Sequence, residues 1–227
     1  MKAVIFAAGE GKRMRPLTEQ VPKPMLTVLG KPLIQYTFEA MPDAVDTVVV
    51  VVGYRREHIM NFLGSTFLKK RVEYVVQDKP GGTAEALELA RSALGTGQFL
   101  KFYGDDIYQK ADVARLFDHH YSILLGQVAD PRAFGVVSLA PDGRIQSFEE
   151  KPEEPKSNLV SAGVMLLDER VFSYVSQPKP STGERYDVDM VMGLAHDHAV
   201  YGVSATRWIQ IGYPEDLAKA ERVLSQS

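Results

Sequence analysis

Short apolar runs rich in β-branched residues recur through the first half of the chain, with polar, helix-spaced stretches between them. The runs occupy 3–8, 47–52 (TVVVVV), 72–76, 99–103 and 122–128. Nearly continuous apolarity, rather than strict alternation, marks strands covered on both faces, as in a parallel sheet. The intervening stretches 31–41, 55–63, 83–94 and 112–121 predict helices. The pattern then changes. Residues 134–139 and 144–150 flank Pro141-Asp142-Gly143, which predicts a β-hairpin, and 160–167 predicts a further strand. Residues 187–197 and 214–224 predict two more helices. The expected fold is α/β, with a mixed, mostly parallel central sheet between helical layers. No repeat or low-complexity tract interrupts it. The best loop candidates, 177–183 and 152–158, are too short to separate domains, so 1–227 is expected to form one domain.

Composition narrows the function classes. The chain has 227 residues, 45% of them hydrophobic, which suffices for a sizeable core. Its net charge of −3 lacks the basic surplus of a general nucleic-acid binder, so an anionic ligand needs a local cluster of cations. The absence of cysteine excludes disulfides, thiolate zinc sites and cysteine nucleophiles. The opening run Ala3-Val4-Ile5-Phe6-Ala7-Ala8 is too short to span a membrane and carries no signal-peptide cleavage pattern, which predicts a soluble, cytoplasmic protein. Histidines 58, 119, 120, 196 and 198 show no metal-ligand spacing. Oligomeric state stays open, a homo-oligomer included.

The most informative stretch is Ala7-Ala8-Gly9-Glu10-Gly11-Lys12-Arg13-Met14-Arg15-Pro16-Leu17-Thr18, followed by Pro22-Lys23-Pro24. It begins where the first strand ends, the place ligands occupy in parallel α/β sheets. Gly9 and Gly11 let the backbone approach a ligand and aim amides at it, while Lys12, Arg13, Arg15 and Lys23 supply positive charge. A polyphosphate needs both features. A third glycine for a dinucleotide fingerprint is missing, and no Gly-Lys-Ser/Thr of a Walker A loop appears.

The pattern G-x-G-x-R-x-x-P-x-T followed by P-K-P resembles the signature of the sugar nucleotidyltransferases, which make dTDP-, UDP-, GDP- and CDP-sugars. The resemblance implies a Rossmann-like three-layer sandwich in which this loop, including Ala8, Gly9, Gly11 and Lys12, wraps a nucleoside triphosphate. Arg13 and Lys23 would neutralise the phosphates and the departing pyrophosphate, and Arg15 falls at a variable position.

Matching patches recur in order along the chain. Gln77-Asp78-Lys79-Pro80-Gly81-Gly82-Thr83-Ala84-Glu85 joins a strand to a helix; on its own it is a loop capped by Thr83, and by resemblance Gln77 and Gly82 read the base. Gly104-Asp105-Asp106 follows a strand; an isolated Gly-Asp-Asp is a turn or cap, while the resemblance makes Asp105 a Mg²⁺ ligand and Asp106 a variable residue. Phe134-Gly135 and Glu149-Glu150-Lys151-Pro152 resemble the sugar-phosphate subsite, with Gly135 and Glu150 on sugar hydroxyls and Lys151 on the phosphate. Arg207-Trp208-Ile209-Gln210 resembles the closing motif, where an aspartate two residues after the tryptophan completes the metal site. Gln210 stands in that place and supplies no charge, so either Asp105 suffices with the phosphates, another acid such as Asp187 or Asp189 substitutes, or activity is low. Trp208 is expected to anchor the core.

The resemblance implies an enzyme that condenses a nucleoside triphosphate, dTTP or UTP favoured over GTP, with a sugar 1-phosphate and releases pyrophosphate. The chain stops soon after the expected nucleotidyltransferase domain, so no C-terminal β-helix or acyltransferase module is expected. Two alternatives stand beside it: a non-catalytic nucleotide-binding regulatory protein, and a nucleotidyltransferase acting on a non-sugar phosphate such as phosphocholine.

Overall fold

The computed structural model describes residues 1–79, 81–179 and 182–226. In chain order the first half comprises β1 (Lys2–Ala7), β2 (Thr27–Val28), β3 (Lys31–Pro32), α1 (Leu33–Ala40), β4 (Thr47–Val52), α2 (Arg56–Leu63), β5 (Thr66–Phe67), β6 (Lys70–Val76) and α3 (Thr83–Leu94). Then come β7 (Phe99–Tyr103), β8 (Ile107–Tyr108), α4 (Lys110–Ala114), β9 (Tyr121–Gln127), β10 (Gly135–Leu139), β11 (Ile145–Glu150) and β12 (Leu159–Leu167). The chain closes with α5 (Asp187–Asp197), β13 (Val200–Ser204), β14 (Trp208–Ile209) and α6 (Pro214–Ser225).

A ten-stranded mixed sheet runs β11-β10-β12-β7-β1-β4-β6-β5, with β9 pairing β12 and β13 alongside β9. Its middle strands β7, β1, β4 and β6 are parallel and in register, for example Val4↔Val49 and Ile5↔Val50. That register explains the unbroken apolar runs. Val4, Phe6, Val49 and Val51 share one face, beneath α3 and α5, while Ala3, Ile5, Val48 and Val50 share the other, beneath α1 and α2. Nearly every residue of β1, β4 and β7 therefore meets a core. A third apolar cluster of Met14, Leu26, Val28, Leu33, Ile107, Ile211 and Ala220 ties the glycine loop to α6.

The predicted hairpin is present: β10 and β11 pair antiparallel, and Gly143 at φ +84° closes the turn with its N–H on the Ala140 carbonyl at 2.9 Å. One predicted element differs, and one strand of the sheet lies outside the prediction. The helix expected over 112–121 ends early, because α4 tightens into a 3-10 turn at Arg115–Asp118 and Tyr121 already begins β9. Tyr121 is buried there and donates its hydroxyl to Asp168 at 2.9 Å. Strand β13 was not expected from the pattern, since Gly202 interrupts its short run. The glycine is needed because a Cβ would meet Leu125 and Leu139 side chains at 2.6–3.2 Å. The loop predicted at 177–183 falls partly outside the described residues. Among the described residues, no helix is long and apolar enough to cross a membrane.

Candidate active site

The glycine loop turns over the carboxyl edge of the parallel strands. Gly11 sits in the left-handed region (φ 61°, ψ 39°), and a Cβ there would stand 3.0 Å from Lys23 Cβ and Thr18 Cγ2. Its carbonyl accepts from Met14 N and Thr18 Oγ1, each at 2.9 Å, so conformation and packing both demand glycine. Gly9 differs: a Cβ there would meet nothing within 4 Å, which leaves space beside the backbone. Lys12 and Arg13 are exposed; Lys12 Nζ lies 3.6 Å from Glu10, and the Arg13 guanidinium lies 5.6 Å from the Tyr213 ring centre. The loop's outer limb is fastened by Tyr54, whose hydroxyl donates to the Thr18 carbonyl at 3.0 Å, and by Arg55, which donates to the Glu19 carbonyl.

Lys23 and Asp105 form the most enclosed charge pair of the cleft, with Nζ 2.7 Å from Oδ2 and the lysine side chain only 12% exposed. Burial works against the ammonium charge, but the Asp105 and Asp106 carboxylates outweigh it and hold Lys23 above its usual 10.5. Asp106 is buried and accepts from Trp208 Nε1 and from the Ile211 N–H, both at 3.0 Å. Burial, reinforced by the adjacent Asp105 charge, pushes Asp106 up to about 7. Asp106 therefore holds the segment 208–211, Gln210 included, against the turn after β7, a role that its variable position in the motif gave no sign of. Two signals could have revealed it: a second acid directly at a strand end, and a lone tryptophan whose indole N–H needs an acceptor. Trp208 packs over Gly126, where a Cβ would run into the indole, yet it also lines the cleft, so it is more than the core anchor expected.

On the neighbouring side the Gln77 N–H is fixed to the Val52 carbonyl at 2.9 Å. Gly82 adopts φ +90°, and a Cβ would collide with the Arg185 backbone. Ala84 N donates to Arg185 O at 3.1 Å and Arg185 N to Gly81 O at 3.0 Å, while the Arg185 guanidinium grips Glu88 of α3 at 2.6 and 2.7 Å. Gly135 pairs with Glu150 across the hairpin, where a Cβ would crowd Phe148 and stand 3.2 Å from Glu150 Oε2. Lys151 takes a left-handed backbone at φ 47°, which turns its Nζ back to 3.1 Å from Glu150 Oε1 and 5.1 Å from the Tyr186 ring centre. Burial raises Glu150 above its usual value despite this partner, and Glu150 in turn raises Lys151 against its own burial.

Ala8, Gly9, Gly11, Lys12, Arg13, Lys23, Gln77, Gly82, Asp105, Gly135, Glu150, Lys151 and Gln210 all line one cleft of about 740 Å³. Arg15 does not; it leans on Glu10 at 3.5 Å. The two acids considered as substitutes at the metal site are engaged elsewhere. Asp187 Oδ2 lies 3.0 Å from the fully buried Lys101 Nζ and its Oδ1 accepts from Thr83 Oγ1 at 2.6 Å, while Asp189 accepts from Ser176 Oγ at 2.7 Å. Among the described residues, no cluster of three or more histidine or acidic side chains could hold a metal alone. One carboxylate, Asp105, and the Gln210 amide oxygen suit a hard cation whose remaining ligands come from phosphates and water.

The nucleotidyl transferase family model matches residues 2–227. The bifunctional protein GlmU of Methanocaldococcus jannaschii is 34% identical over 226 residues, covering 99% of this chain and 54% of that protein. Mannose-1-phosphate guanylyltransferase of Mycobacterium tuberculosis is 31% identical, over 96% of this chain and 62% of its own length. A crystal structure of a Bacillus anthracis protein assigned as a glucose-1-phosphate thymidylyltransferase, in complex with sucrose, superposes with a TM-score of 0.85 at 29% identity, covering 98% of this chain and 94% of that one. The chain thus spans about half the length of the GlmU relative. With a Rossmann-like mixed sheet carrying the motif-bearing cleft at its carboxyl edge, the chain belongs to the nucleotidyl transferase family.

Proposed function

We propose that this chain, residues 1–227 as one domain, joins a nucleoside triphosphate to a sugar 1-phosphate and releases pyrophosphate. The observation that carries this reading is the convergence of two separate cation–carboxylate pairs, Lys23–Asp105 and Glu150–Lys151, on one cleft with the glycine loop between the sheet and solvent. One pair serves a polyphosphate and the other a hydroxylated phosphate. The guanylyltransferase and thymidylyltransferase relatives agree with such a pairing of substrates.

In this reading a phosphate oxygen of the sugar phosphate forms a bond to the α-phosphorus. The bond from that phosphorus to the oxygen bridging to the β-phosphate breaks, and its electron pair leaves with pyrophosphate. The nucleophile is already anionic near neutral pH, so no general base is needed. The protein's task is alignment and charge neutralisation. Gly9 and Gly11 admit the triphosphate to the loop, while Lys12, Arg13 and Lys23 balance its charge. Glu150 accepts from sugar hydroxyls, and Lys151 holds the attacking phosphate. Asp105 and Gln210 would hold Mg²⁺, which when bound neutralises the reacting phosphates. Gln77 and Gly82 face the base, with dTTP or UTP favoured.

Gln210 specifically favours a second reading, a binding protein without turnover. Pyrophosphate release separates the two: the purified chain with Mg²⁺ is mixed with each common triphosphate and a panel of sugar 1-phosphates and phosphocholine. Release with a sugar phosphate is expected; triphosphate binding without release from any mixture would leave only the second reading.

A further inference from the structure

Gln77 directly follows β6 at the cleft, and its side-chain amide is already committed on one side. Nε2 donates to Glu85 Oε2 at 2.7 Å and to the Gly82 carbonyl at 3.1 Å. Both partners are pure acceptors, a carboxylate and a carbonyl, so both amide hydrogens are used and the amide cannot be turned over without setting oxygen against oxygen. The orientation thus follows from the chemistry of the neighbours. Glu85 is itself seated by design of the loop: it lies in the first turn of α3, where the helix N-terminus favours a carboxylate, and a Cβ on Gly81 would occupy the position of its carboxyl group. What remains of the amide is Oε1, which has no donor among the described residues.

We infer that Glu85 is a positioning residue that makes Gln77 a one-way acceptor, so that the cleft selects bases with a ring N–H and disfavours those with a ring lone pair. The inference rests on the proposed reading of this end of the cleft as the base site, and deepens it. Uracil and thymine present N3–H and guanine N1–H in the middle of the base edge, and each can donate to Gln77 Oε1. Cytosine N3 and adenine N1 present a lone pair at the same point. To offer its amino group instead, cytosine must slide along the edge and carry its ribose and phosphates away from the glycine loop.

The test is calorimetric binding of UTP and CTP to the full chain with Mg²⁺ and no sugar phosphate. An unmatched acceptor pair costs about ten- to a hundredfold in affinity, so UTP is expected to bind more tightly than CTP by at least that lower factor. Glu85→Gln can donate as well as accept and lets the Gln77 amide rotate; it is expected to bring the UTP-to-CTP ratio to within about threefold while UTP affinity is kept. Glu85→Ala, as a second variant, also narrows the ratio. A merely structural role for Glu85 would weaken both nucleotides alike and leave the ratio unchanged, which overturns the inference. Equal affinities in the parent chain, or no binding of either nucleotide, overturn it too. A chain that prefers UTP but never releases pyrophosphate would sink the proposed activity and leave this inference standing.

Discussion

Lys23 Nζ lies 2.7 Å from Asp105 Oδ2, although 82 residues separate the two in sequence. One comes from the 3-10 turn Lys23–Met25 that follows the glycine loop, the other from the turn after β7. The pair is a preset charge arrangement, and in the proposed reaction the ammonium would face the phosphates and the carboxylate the metal.

Removing the ammonium should therefore affect turnover far more than folding. Lys23→Ala is expected to lower kcat by about 10²–10³-fold, the usual loss for one preorganised charge contact. Its circular dichroism spectrum should be unchanged. Steady-state kinetics at near-parental rates would remove Lys23 from the reaction.

The buried Asp106 predicts a pH dependence of stability. Its folded value of about 7 lies above the ordinary 3.8, because burial and Asp105 disfavour the charge. Between those values the folded chain keeps a proton that the unfolded chain has released. Stability should therefore fall as pH rises from about 4 to about 7, then level off. Asp106→Asn should flatten that slope in melting temperatures taken across the range. The variant is also expected to lose about 1–3 kcal/mol, since Trp208 and Ile211 donate to different carboxylate oxygens and the amide turns one of them into a donor.

Gln210 offers a gain-of-charge experiment. Gln210→Asp places a third carboxylate beside Asp105 and Asp106. It should lower the Mg²⁺ concentration for half-maximal activity by about tenfold, the effect of one added charged oxygen ligand. Without metal the crowded acids should depress the melting temperature. Mg²⁺ titrations of rate and of thermal stability read both effects, and an unchanged Mg²⁺ requirement would show that residue 210 does not reach the metal.

Lys101 and Asp187 are 0% and 1% exposed, 3.0 Å apart, and not aligned for a hydrogen bond, so the contact is Coulombic. The ammonium also lies 3.6 Å from the Tyr103 ring centre. Lys101→Met leaves the buried Asp187 carboxylate with Thr83 as its side-chain partner among the described residues and should cost about 3–5 kcal/mol in urea unfolding. Adding Asp187→Leu should recover part of that loss.

Much of this architecture could be read beforehand, and the misses have physical causes. The runs 47–52 and 99–103 matched β4 and β7 because each serves two cores and leaves no polar face to blur the pattern. The Pro141-Asp142-Gly143 turn was legible because Gly143 needs a positive φ. Strand β13 was not, since Gly202 gives way to Leu125 and Leu139, a tertiary demand with no local signature. Among site residues, the motifs led to Lys23, Asp105, Glu150 and Lys151, which meet in one cleft. They did not lead to Asp106 or Glu85. Those residues bond to Trp208, Ile211 and Gln77, and such partnerships across the chain exist only once the sheet has formed.

The short backbone ladder between Gly81–Ala84 and Arg185 has a wider consequence. It splices the rim proposed to face the nucleobase to the rim carrying Glu184 and Tyr186, and the Arg185–Glu88 clamp stiffens the joint. A substitution that reshapes one rim cannot leave the other at rest. Under the proposed activity, preference for the base and preference for the acceptor are thus inherited together, and retuning either means rebuilding a shared hinge.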